Sequence, residues 1–162
     1  MVNKLITYVL THFGLIGPLV GILIGYWEGK NTQRLWTSLL KWTLLLGAGV
    51  VGLYAFLVHG FFGNFTAQQI GWANSPFQYE VAIANLAVGV LGVMAFSRPR
   101  PFRLAAVVVV SVWLWGDAVG HMYQMAVSHN FAPGNAGAWF LTDIVVPLLL
   151  WWFYMKSERE PA

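Results

Sequence analysis

Residues 102–127 read FRLAAVVVVSVWLWGDAVGHMYQMAV. After Arg103 the run contains no Lys, Arg or Glu, and its ionisable residues of interest are Asp117 and His121. A hydrophobic stretch of roughly 18 or more residues is long enough to cross a bilayer as a helix. Trp113, Asp117, His121 and Gln124 are spaced by four, four and three residues, which places them on one helical stripe. At about 1.5 Å per residue, Asp117 lies roughly 21 Å and His121 roughly 27 Å from an inner interface at Arg103, in the outer half of a core about 30 Å thick.

Four more segments read in the same way. They cover about residues 5–27, 42–62, 76–96 and 137–155. Together with 102–127 they predict an all-α bundle of five transmembrane helices in a single domain. The third begins with a start signal, Ser75-Pro76-Phe77-Gln78, in which serine caps, proline takes the first helical position and glutamine closes a capping box. A short interfacial helix is expected near Thr66–Ile70. The first segment is too long for a signal-peptide core, and Gly25-Tyr26-Trp27-Glu28 is a poor cleavage site.

Composition agrees: 58% of residues are hydrophobic and 9% charged, which excludes a soluble domain. The net charge is +3, but the basic residues stand at segment ends, so the pattern is one of membrane orientation and no nucleic acid is expected. With five spans, eight of the nine Lys and Arg share one side; Lys4 is the exception. The positive-inside rule then puts the N terminus outside and the C terminus in the cytoplasm of a bacterial cell, in its inner membrane. The absence of cysteine excludes disulfides, iron–sulfur clusters and thiolate metal sites.

Membrane helices associate through small residues and polar contacts. Candidate packing faces are Gly17, Gly21 and Gly25; Ala48, Gly52 and Ala55, continuing to His59; Gln78, Ala82, Asn85, Gly89 and Gly92; and Gly116 with Gly120. Pro18 and Pro147 are expected to kink their helices.

Acids and imidazoles at membrane depth are the candidates for chemistry, because a charge at the bilayer centre costs about 2.5–3.5 kcal/mol on insertion scales. His59, Glu80 and Asp143 each fall within about 10 Å of the outer interface, at a depth close to Asp117 and His121. The shared depth predicts an outer-half polar pocket of Glu80, Asn85, Trp113, Asp117, His121, Gln124 and Asp143, with Gln78 and His59 at its edge. Trp113, Trp115 and Tyr123 are the expected apolar walls.

Several chemistries suit such a set. Glu80, Asp117, His121, Asp143 and His59 are the candidate ligands of a divalent metal, and the same groups suit proton binding in transport or membrane redox chemistry. They also suit acid–base work on a lipid-soluble substrate such as a quinone, isoprenoid or sterol. A b-type haem on His59 and His121 is the lesser cofactor alternative. Without any ligand, the same residues would hydrogen-bond between helices. His12 reads as interfacial and His129 as a solvated loop residue. The expected partners are the lipid bilayer and a homo-oligomer or larger membrane complex, for which the chain would be an accessory subunit.

Ile70-Gly71-Trp72, Ser75-Pro76-Phe77-Gln78, Glu80, Ala84-Asn85-Leu86 and Gly89-Val90-Leu91-Gly92, followed by Gly120-His121, Gln124, Asn130, Ala132-Pro133-Gly134-Asn135, Gly137 and Asp143, resemble a family of small bacterial polytopic membrane proteins of unknown function. The resemblance covers roughly residues 56–147 and implies a multi-helix membrane protein without an assigned activity.

Overall fold

The computed structural model describes Tyr8 and residues 11–160, and within them the chain is helical with no strand. The elements are α1 (Phe13–Gly29), α2 (Leu35–Phe61), α3 (Gly63–Ile70), α4 (Phe77–Ala95), α5 (Arg100–Ser128), the single turn α6 (Pro133–Ala136) and α7 (Ala138–Ser157). Four helices, α2, α4, α5 and the α6–α7 unit, are long and apolar enough to cross a membrane. The described part of α1 has 17 residues, roughly 26 Å of helix. The expected start of that span, residues 5–7 and 9–10, lies outside the described residues. Large apolar side chains such as Leu23, Val112, Val119 and Leu148 cover the outer surface and are more than half exposed, as a lipid-facing surface requires.

Glycine stripes decide how these helices pair. A Cβ added at Gly17 would lie 2.6 Å from the Leu46 carbonyl oxygen, at Gly21 2.7 Å from that of Trp42, and at Gly25 2.8 Å from Cα of Leu39. Rising numbers on α1 meet falling numbers on α2, so the two helices form an antiparallel hairpin at backbone contact. The opposite side of α2 meets α4 in the same way: Gly52 abuts the backbone of Gly89, and Gly49 that of Gly92 and Val93. Between these contacts Leu44–Val50 is π-helical, a geometry often found at functional sites. Pro18 of α1 packs directly on Gly47 of that segment.

Two expectations need correction. Among the described residues no atom lies within 4 Å of a Cβ added at Gly116 or Gly120 of α5; this stripe does not pack on another described helix. The start of α4 has no side-chain cap, because Gln78 turns inward and its Oε1 lies 2.7 Å from Nδ1 of His59.

The two ends of the bundle are tied differently. At one, Arg100 pairs with Glu158 at 2.9 Å, Lys41 with Glu28 at 2.5 Å, and Glu160 reaches the start of α2. The basic segment ends therefore gather together. At the other end, Asn130 donates to the Ile70 carbonyl at 2.9 Å, joining the α5–α6 loop to the end of α3. Gly71 has φ +76°, and an added Cβ there would lie 2.7 Å from Oδ1 of Asn130. Gly134 is pressed as closely on Gln69. The two separated motifs Ile70-Gly71-Trp72 and Asn130 to Asn135 are thus two halves of one cap.

Candidate functional site

Beneath that cap, α1, α2, α3, α4, α5 and α7 enclose a cavity of about 180 Å³. Small residues of α2 and α4 bring those helices to backbone contact, and residues of the cap and of α7 line the cavity beside them. Tyr54, Trp72, Trp113 and Trp139 supply aromatic wall. Trp139 lies flat against Gly14 and is nearly parallel to Tyr54, their ring centroids 6.2 Å apart.

The polar groups arrive from four helices. His59 of α2, Asn85 of α4, Asp117 and His121 of α5, and Asp143 of α7 all line the cavity. His121 and Asp143 are buried, and Nε2 of His121 stands 3.6 Å from Oδ2 of Asp143. That separation is beyond a hydrogen bond. Neither Asp117 nor Asp143 receives a hydrogen bond from another described residue, and Nε2 of His121 makes none. Asn85 spends one amide proton on the Val81 carbonyl of its own helix, at 3.0 Å.

Asn135 anchors this arrangement and was not among the sequence candidates for the pocket. It is fully buried, its Oδ1 lies 2.8 Å from Nδ1 of His121, and its Nδ2 donates to the carbonyls of Asn130 at 2.9 Å and of His121 at 3.3 Å. In sequence it reads as part of a helix breaker. Its place inside the family-like run Ala132-Pro133-Gly134-Asn135 was the available signal.

Other predicted members lie elsewhere. Glu80 is exposed and does not line the cavity: it stands two residues, about 200° of helix, from the inward-facing Gln78. Gln124 is half-buried and also outside the cavity, while Gln78 touches it only through His59. Trp115 and Tyr123 point outward, 40% and 61% exposed, so the wall residues beside Trp113 come from other elements. His12 bonds to Tyr8, and His129 is exposed. Among the described residues no three His, Asp or Glu side chains group as a metal site. The carboxyls and imidazoles share a cavity without converging on a point.

Such a site combines apolar walls with two carboxyls and an imidazole nitrogen that have no hydrogen-bond partner among the described residues. It is suited to a molecule with an apolar body and a polar head. No curated protein and no solved structure shows significant similarity to this chain. A family model described as Family of unknown function (DUF6790) matches residues 4–162, and the chain belongs to that family.

Proposed function

We propose that this protein crosses a bacterial inner membrane five times, N terminus outside, and uses its outer-half cavity to bind a lipid-soluble small molecule and exchange a proton with it. Asp117, His121 and Asp143 are the groups that would hold the polar head. The observation that carries this reading is the state of Asp143: 5% exposed, lining a cavity, with no hydrogen-bond donor among the described residues. Buried polar groups are almost always paired, and a ligand that brings its own hydrogen-bonding group lowers the cost. A bound divalent ion fits less well, because three donors do not meet.

Mass spectrometry of organic extracts tests the proposal. Protein purified in lipid nanodiscs is expected to carry a small molecule at near-stoichiometric amount. Ala55→Phe fills the cavity from α2, where Ala55 is buried and lines it, and should release that molecule while the protein stays folded. Identical extracts from the two proteins would sink the idea.

A further inference from the structure

Asn135 does more than hold a loop. Its amide orientation is set by two carbonyls: Nδ2 donates to the backbone oxygens of Asn130 and His121. Oδ1 is therefore the atom facing His121, and an amide oxygen can only accept. Nδ1 of His121 must carry the proton of that 2.8 Å contact. In a neutral imidazole the second nitrogen is then an acceptor, so Nε2 presents a lone pair toward the cavity.

No described residue places a donor within hydrogen-bond reach of Nε2. On α7 the nearest polar group is Oδ2 of Asp143, 3.6 Å away. Trp72 and Phe140 flank the ring with centroids at 5.9 and 6.4 Å. Asp117 of α5, and His59 and Tyr54 of α2, are the other titratable groups of the cavity. A ligand hydroxyl within reach of Nε2 has one proton to give; donated there, it leaves lone pairs on its oxygen that only a donor, such as a neutral carboxyl at Asp143, can use. A carbonyl or ether oxygen would set acceptor against acceptor at Nε2, whereas a hydroxyl has a proton to give.

We propose that the cavity recognises the hydroxyl of a lipid-soluble alcohol or phenol, that this hydroxyl donates to Nε2 of His121, and that Asn135 is the positioning residue that sets this polarity. The inference rests on the cavity being a ligand site and adds the chemical class of the ligand. Aromatic walls with a few hydrogen-bonding groups among them fit such a molecule.

The experiment uses histidine-selective nitrogen-15 labelling of the full chain in nanodiscs, with thymol and thymol methyl ether as probes. The protein has four histidines, so a His121→Gln spectrum identifies the resonances. The ligand-free protein should show His121 protonated at Nδ1 alone. Thymol should shift the Nε2 resonance and saturate at a concentration roughly two- to tenfold lower than the ether, one hydrogen bond's worth. Asn135→Leu should lose both the tautomer preference and the discrimination. If that variant does not fold, the two wild-type measurements still decide. A His121 protonated at Nε2, or at both nitrogens, overturns the role of Asn135. Equal saturation by both probes overturns hydroxyl recognition but leaves a ligand cavity in place. If neither probe perturbs the cavity tryptophans or His121, the ligand site itself falls, and the hydroxyl proposal with it.

Discussion

The carboxylate of Glu160 closes the first turn of α2 from the far end of the chain: its Oε1 lies 2.6 Å from the backbone nitrogen of Trp36 and its Oε2 2.9 Å from that of Thr37. A helix start leaves backbone N–H groups without partners, and an anion there also meets the positive end of the helix dipole. Arg34, which precedes α2, offers no side-chain cap. The tail supplies what the local sequence lacks. Glu160→Ala is expected to cost about 1–2 kcal/mol, and Glu160→Gln about 1 kcal/mol. The midpoint of denaturant unfolding, followed by tryptophan fluorescence, reads both; an unchanged midpoint for Glu160→Ala would mean that the tail does not hold α2.

Glycines on the two sides of the bundle should respond oppositely to substitution. A Cβ at Gly89 would sit 2.8 Å from the backbone nitrogen of Leu53, which cannot yield as a side chain can. Gly89→Val should lose at least about 2 kcal/mol. Gly116→Ala and Gly120→Ala meet open space and should stay within about 0.5 kcal/mol. Thermal unfolding in one detergent compares all three. A large loss at Gly120 would reveal a partner helix seated on α5.

The cap should behave as a coupled pair. Gly71 adopts φ +76°, and its added Cβ would crowd Oδ1 of Asn130. Gly71→Ala is expected to destabilise by about 1–3 kcal/mol, from backbone strain and that contact together. Asn130→Ala removes the amide bonds to Ile70 and Gly71, at about 1 kcal/mol. In a double-mutant cycle Gly71→Ala should cost less when Asn130 is already alanine. Strict additivity would argue that the two loops do not touch.

Topology can be read by single-cysteine labelling, for which the cysteine-free sequence is a clean background. A membrane-impermeant maleimide applied to spheroplasts should label cysteine at Gln68 and at His129, both exposed. Cysteine at Asn31 or Ser97 should react only after lysis. An N-terminal tag should be reachable from outside. A tag protected until lysis would mean that the first segment does not cross.

Removing part of the cavity's polar deficit should be measurable without knowing the ligand. Asp143→Leu replaces a buried carboxyl that lacks a donor among the described residues with an apolar side chain. Such a change is expected to be neutral or stabilising by about 1 kcal/mol in ligand-free protein. Asp143→Leu should at the same time lose the co-purifying molecule. A strongly destabilised variant would show that Asp143 makes a structural bond.

Periodicity within one helix was legible from the residues alone. Gly17, Gly21 and Gly25 share a face because four residues are nearly a full turn, and so do Ala48, Gly52 and Ala55. Both faces are buried. The lengths of the four apolar helices and the short helix after α2 followed from local rules of the same kind. Local rules also misled where a side chain had a better distant partner. Gln78 left its expected cap for His59, and Glu80 shared a depth with the pocket while facing away from it.

From the chain of letters alone came the helical class, the membrane lengths and the stripe that joins Asp117 to His121, since rise and turn per residue are constants of the backbone. Which stripe faces which is a property of rotation about separate axes, and no single-helix period contains it. Tertiary packing alone therefore brought Asp143 beside His121, set the amide of Asn135 against the imidazole, and carried Glu160 to the start of α2.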